Sequence, residues 1–191
     1  MALVNIELKT ELRQKIRAAL GKVSLAVRMA ESLDLCARLE PQLQSAHTIL
    51  FYAPLPDELD VWPLLEKVLA SKKVCALPAF DDRTQGYSAR RVRNLEADII
   101  TGKFGVAEPL PKCEEIPLDQ FDLVIVPGMA FDKHGSRLGR GRGFYDRILA
   151  RASGVKCGVA YDFQLLETIP TEPHDARVHF IFTPARCMRG I

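Results

Sequence analysis

Asp122-Leu-Val-Ile-Val-Pro127-Gly-Met-Ala-Phe-Asp132-Lys-His-Gly135-Ser-Arg137-Leu-Gly139-Arg140-Gly141-Arg142-Gly143-Phe144-Tyr145-Asp146-Arg147 sets a short apolar run before a glycine- and arginine-rich loop and the start of a helical pattern. A run of branched apolar residues this short reads as a strand buried on both faces, as in a parallel sheet. Four more such runs occur: His47–Ala53, Lys73–Ala79, Lys156–Tyr161 and Val178–Thr183. Helical patterns fall between several of them, over Asp60–Ser71 and Phe144–Ser153. Alternating strands and helices predict a three-layer α/β/α domain around a mostly parallel open sheet.

Upstream of these runs the pattern is helical. Leu8, Leu12, Ile16 and Leu20 recur every four residues, and Leu25, Met29, Leu33, Cys36 and Leu39 follow at three- and four-residue steps. The first row is expected to lie along one helical stripe, and the second to form a helix over roughly residues 23–40 that Pro41 ends. The stretch from Asp81 to Pro117 is more polar and predicts a hairpin near Gly86 and a loop over the sheet edge. No repeat or long linker divides the chain, so residues 1–191 are expected to form a single domain.

With 26 basic against 24 acidic residues, the formal charge of +2 gives no general pull toward nucleic acid or membrane. Anion binding must come from local clustering. The five cysteines are widely spaced, form no Cys-x-x-Cys pair, and mostly sit in apolar runs, which fits free thiols in a cytoplasmic protein. The early charges of the N-terminus do not fit a signal peptide.

The loop is where chemistry concentrates. It follows a strand and opens a helix, the position where open α/β sheets bind ligands. Gly139, Gly141 and Gly143 allow the backbone to come close to an anion, and Arg137, Arg140, Arg142 and Arg147 add forked donors. The spacing is neither Walker A nor the dinucleotide pattern. A solvated surface loop remains the alternative. Asp146, in the first helical turn, fits either a stabilising charge at the helix N-terminus or a Mg²⁺ ligand. Lys9, Arg13 and Arg17 share a helix face, which suits either a polyphosphate or solvent.

From Pro127 to Arg147 the chain resembles the 5-formyltetrahydrofolate cyclo-ligase family, with weaker matches at Lys9–Arg13, Asp57-Glu58, Phe104–Pro109 and Pro170–Asp175. The resemblance implies conversion of 5-formyltetrahydrofolate to 5,10-methenyltetrahydrofolate, with ATP as co-substrate, Mg²⁺ as cofactor, and ADP and phosphate released. It implies ATP contacts from Lys9, Arg13 and the loop Arg137, Leu138, Gly139, Arg140, Gly141, Arg142, Gly143, Phe144 and Tyr145. Catalytic roles fall to Arg140, Arg142 and Tyr145. Folate contacts fall to Tyr52, Glu58, Phe104, Arg140 and Phe144, and Mg²⁺ ligation to Asp146 and Asp175. For His174-Asp175 the residues themselves suggest a turn after the prolines. Phe144 stands where the family often has the first of two tyrosines, and His179 where it usually has an acid. The implied partners are small molecules, with neither nucleic acid nor membrane, for a monomer or weak homodimer. Rival readings are an RNA-binding protein using the basic loop, or a non-catalytic nucleotide or sugar-phosphate sensor.

Overall fold

The computed structural model describes residues 2–172 and 175–190, with side chains described from residue 5, so the turn expected at His174 lies outside the described residues. In chain order the helices are α1 (Ala2–Leu20), α2 (Leu25–Gln44), α3 (Trp62–Leu69), α4 (Leu95–Asp98) and α5 (Phe144–Arg151). The strands are β1 (Thr48–Leu50), β2 (Val74–Asp81), β3 (Gly86–Val92), β4 (Ile99–Thr101), β5 (Ala107–Pro109), β6 (Glu115–Ile116), β7 (Leu123–Pro127), β8 (Ala130–Asp132), β9 (Arg137–Leu138), β10 (Val155–Val159), β11 (Leu165–Leu166), β12 (Phe180–Phe182) and β13 (Cys187–Arg189).

The main sheet runs β13-β12-β10-β7-β1-β2-β3-β6. The five apolar runs supply its middle, β12-β10-β7-β1-β2, and every pair among them is parallel. Antiparallel strands finish both edges. The burial pattern explains why those runs are continuously apolar. In β7, Leu123 and Ile125 face one core cluster while Val124 and Val126 face the other. The first cluster is filled from α1, α2 and α3, the second from α5, giving three layers as expected.

Three expectations change. Residues four apart on a helix of 3.6 residues per turn drift by about 40°, so Leu8 and Leu20 end about 120° apart. Leu20 and Ile16 are buried, whereas Leu8 is 43% exposed. On α2 the buried face is Ser32, Leu35, Cys36, Leu39 and Leu43, and the row Leu25, Met29 and Leu33 faces outward. Pro41 does not end α2, which continues to Gln44 with Leu43 buried beneath its last turn. The missing Pro41 donor is one bond, lost close to the helix end, where packing outweighs it. The polar stretch after Asp81 holds the predicted hairpin, with Asp81 paired to Gly86. Its remainder forms edge strand β6 and a separate β4–β5 hairpin instead of a plain covering loop.

Candidate active site

β1 leads through α3 to β2 on one side, while β7 leads through α5 to β10 on the other. The connections therefore part at the carboxyl ends of β1 and β7, where doubly wound sheets leave a crevice. A cleft of about 430 Å³ opens there. Tyr52, Leu55 and Glu58 line it from the chain leaving β1, and Pro127 and Gly128 from the end of β7. The β9–α5 connection adds Arg137, Gly139, Arg140, Arg142 and Gly143, followed by Phe144, Tyr145 and Asp146. The β4–β5 hairpin contributes Phe104 and Glu108, and α1 contributes Arg17.

The loop itself is shorter than the sequence suggested. Arg137 and Leu138 are a strand paired with Phe131 and Ala130, leaving Gly139–Gly143 as the connection. Gly141 and Gly143 hold φ of +101° and +64°, the left-handed region that side chains resist. Gly139 is bare for a different reason: a Cβ there would meet the Arg137 guanidinium at 3.0 Å. Among the described residues, no backbone N–H from Gly139 to Asp146 donates to a protein acceptor. Donors without partners at the start of α5 form a ready anion site.

Several predicted side chains are already engaged. Arg140 donates to Asp57 at 2.6 Å and to Glu58 at 3.0 and 3.1 Å, tying the loop to the chain after β1. Glu58 also accepts the Leu55 N–H at 3.0 Å, and burial pushes its carboxyl upward against the pull of Arg140. Buried Arg137 donates to Asp146 at 2.6 Å and lies over the Tyr145 ring. Arg13 reaches the Gly139 carbonyl at 2.9 Å without lining the cleft. Lys9 pairs with Asp175 at 2.7 Å, joining α1 to the C-terminal segment. The Leu138 side chain is buried in the core and its carbonyl accepts the Met129 N–H at 2.7 Å, so this expected ATP contact lies in strand β9 and not in the loop.

Phe104 and Phe144 belong to an aromatic group with Phe80 and Tyr87, at centroid distances of 5.0 to 5.8 Å. The Arg142 guanidinium stacks 4.5 Å from the Phe104 ring. Tyr52 lines the cleft, and its hydroxyl donates to the Leu59 carbonyl at 2.6 Å. The Tyr145 hydroxyl makes no hydrogen bond among the described residues, and burial raises its pKa well above the usual value. Arg17, undecided from the sequence, lines the cleft. Tyr87, Leu55 and Glu108 were not singled out, because nothing in their local patterns separates cleft residues from ordinary strand and loop residues.

The model of the 5-formyltetrahydrofolate cyclo-ligase family matches residues 5–184. The chain belongs to the 5-formyltetrahydrofolate cyclo-ligase family. It is 32% identical to the 5-formyltetrahydrofolate cyclo-ligase of Mycolicibacterium smegmatis, over 93% of this chain and 94% of that protein. Against the Escherichia coli K12 cyclo-ligase it is 32% identical, over 76% of this chain and 82% of that protein. The solution structure of Aquifex aeolicus 5,10-methenyltetrahydrofolate synthetase superposes with a TM-score of 0.86 at 34% identity, covering 96% of this chain and 93% of that one.

For a cyclo-ligase-family chain the cleft combines two unlike halves. One is a cationic, donor-rich edge formed by the loop and α1. The other is an aromatic wall beside buried acids. A polyanion and a flat heterocycle can meet between them. Mg²⁺ fits this donor set in one form. No group of three or more metal-ligating side chains exists among the described residues, so a cage made by protein alone is not offered. Asp146, beside the unpartnered loop N–H groups, suits an ion held by one or two carboxylates plus ligand phosphates.

Proposed function

We propose that this chain converts 5-formyltetrahydrofolate to 5,10-methenyltetrahydrofolate, consuming ATP and releasing ADP and phosphate. Family membership supports the reaction, and the N–H groups of Gly139–Asp146, without acceptors among the described residues and beside an aromatic cleft, are the observation that carries its ATP-dependent form. In this reading the formyl oxygen attacks the γ-phosphorus, and ADP leaves. N10 of the folate then adds to the activated formyl carbon and loses its proton, and expulsion of phosphate completes the ring.

The chain's contribution is placement and charge. The loop N–H groups and Arg142 hold the phosphates, and Arg13 braces the loop through the Gly139 carbonyl. Phe104 and Phe144 stack the heterocycle, and the Arg140–Glu58 pair borders it. The Tyr145 hydroxyl, without a partner among the described residues, is available to the reacting groups. When bound, Mg²⁺ would supply neutralisation of phosphate charge, held by Asp146 and by Asp175 near Lys9. Both carboxylates are ion-paired here, so the ion would share them with Arg137 and Lys9.

The reading includes a single domain acting as a monomer or weak homodimer in the cytoplasm, supported by five free cysteines of which four are buried. No helix among the described residues is long and apolar enough to cross a membrane. The test is purified protein with ATP, Mg²⁺ and 5-formyltetrahydrofolate, following methenyl absorbance and ADP together. Equal amounts of both products are expected, and product formation without ATP would overturn the reading.

A further inference from the structure

Glu108 lies in β5 opposite Ile100 and is 7% exposed. Its Oε2 accepts the Phe80 N–H at 3.1 Å, while its buried Oε1 has no hydrogen-bond partner among the described residues. No lysine or arginine pairs with it among those residues. Buried acids are normally paired or fully hydrogen-bonded, and an exception asks for an explanation. The place is shaped for this carboxyl, because a Cβ on Gly102 would fall 2.3 Å from its Cδ. Burial raises its pKa, with nearby Asp82 adding to the effect. Glu108 lines the cleft beside Tyr87, Phe104 and Phe144. Glu58 differs, since both of its oxygens already accept protein hydrogen bonds.

We infer that Glu108 is a specificity-determining residue, its spare carboxyl oxygen accepting an N–H of the planar heterocycle that lies against Phe104 and Phe144. The inference rests on the folate reading of this cleft. The class of ligand is a flat ring with N–H donors along one edge, as in a pterin. The aromatic wall supplies stacking, and the acid reads the edge. Oε2 already ties the hairpin to β2 through the Phe80 N–H, which leaves Oε1 as the acceptor without a partner among the described residues.

The experiment measures 5-formyltetrahydrofolate and ATP binding by calorimetry, beside melting curves, for wild type, Glu108→Gln and Glu108→Leu. An analogue whose pterin 2-amino group is replaced by methyl is titrated against the same proteins. Folate affinity is expected to fall about tenfold or more in folded Glu108→Leu, which loses the acceptor, and by less in Glu108→Gln, which keeps a neutral acceptor oxygen, with ATP affinity within about twofold in both. The analogue should bind wild type more weakly than the parent folate, and the Leu variant about equally, since the two losses remove one contact. Unchanged folate affinity in the folded variants, or an equal loss for ATP, would overturn the inference. Additive losses for analogue and variant would also overturn it. Wild type that binds ATP but no 5-formyltetrahydrofolate gives a different result, which removes the folate reading and this inference together.

Discussion

Asp146 and Arg137 meet at 2.6 Å with the arginine side chain almost wholly buried, so the pair holds the first turn of α5 against the strand before it. The same carboxylate borders the loop whose N–H groups lack partners among the described residues. Asp146→Asn keeps the size of the side chain and removes its charge. It is expected to lower kcat/KM by at least about a hundredfold, roughly 2.7 kcal/mol of transition-state stabilisation. Titration of activity with Mg²⁺, beside a melting curve, separates loss of metal from loss of the Arg137 contact. A folded variant with unaltered metal dependence would remove Asp146 as a ligand. The sequence offered a helix charge and a metal ligand as alternatives, and it gave no sign of the Arg137 partner.

At the scale of elements, the Gly139–Gly143 connection turns β9 into α5 with two residues at positive φ. Gly141→Val places a branched residue at φ +101°, a strain of about 1–3 kcal/mol. The nearest atoms to a Cβ there are 3.6 Å away on Arg13, so the fold should survive with a modest drop in Tm. ATP affinity is expected to fall more than about tenfold, because the loop can no longer present its N–H groups at the same angle. Calorimetric titration of the folded variant checks this. The opposite end of the sheet gives a contrasting case. Asp122 accepts the N–H groups of His47 and Thr48 and the Thr48 hydroxyl, at 2.8 to 2.9 Å, joining the starts of β7 and β1. The Thr48 N–H is the leading cause that holds its pKa below the usual carboxylate value. Its stabilisation is present above the ordinary value of 3.8 and lost as pH falls through the lower folded one. Asp122→Ala should cost roughly 1–3 kcal/mol near neutral pH, with turnover unchanged and the difference in Tm closing in acid.

For the whole molecule, Glu108 and Glu58 pull stability in the other direction. Burial raises both pKa values above the ordinary 4.5, so each carboxyl binds its proton more tightly when folded. Their contribution is most favourable below that value, weakens as pH climbs through the raised folded value, and then levels. Glu108→Gln removes one such titration. Its Tm is expected to match or exceed wild type near neutral pH, with the gap shrinking toward the ordinary carboxylate range. Melting curves across that interval test the expectation, and a variant less stable at neutral pH would contradict it. A site that weakens its own fold while ligand-free is what a binding acid implies.

The sequence by itself determined the layers, the parallel centre of the sheet and the glycine loop. Those follow from local rules: continuous Val, Ile and Leu runs need cover on both faces, and glycine marks backbone that other residues resist. It also carried the family, because the run from Pro127 to Arg147 is contiguous. Only the tertiary structure decided which side chains meet. Arg140 finds Asp57 and Glu58 more than eighty residues away, Lys9 finds Asp175, and Glu108 reaches the cleft through a hairpin with no local mark of it. It also decided that Leu138 faces the core while Leu25 and Met29 do not. Periodicity fixes a residue's angle around its own helix or strand, whereas burial and partnership depend on what the rest of the chain brings alongside.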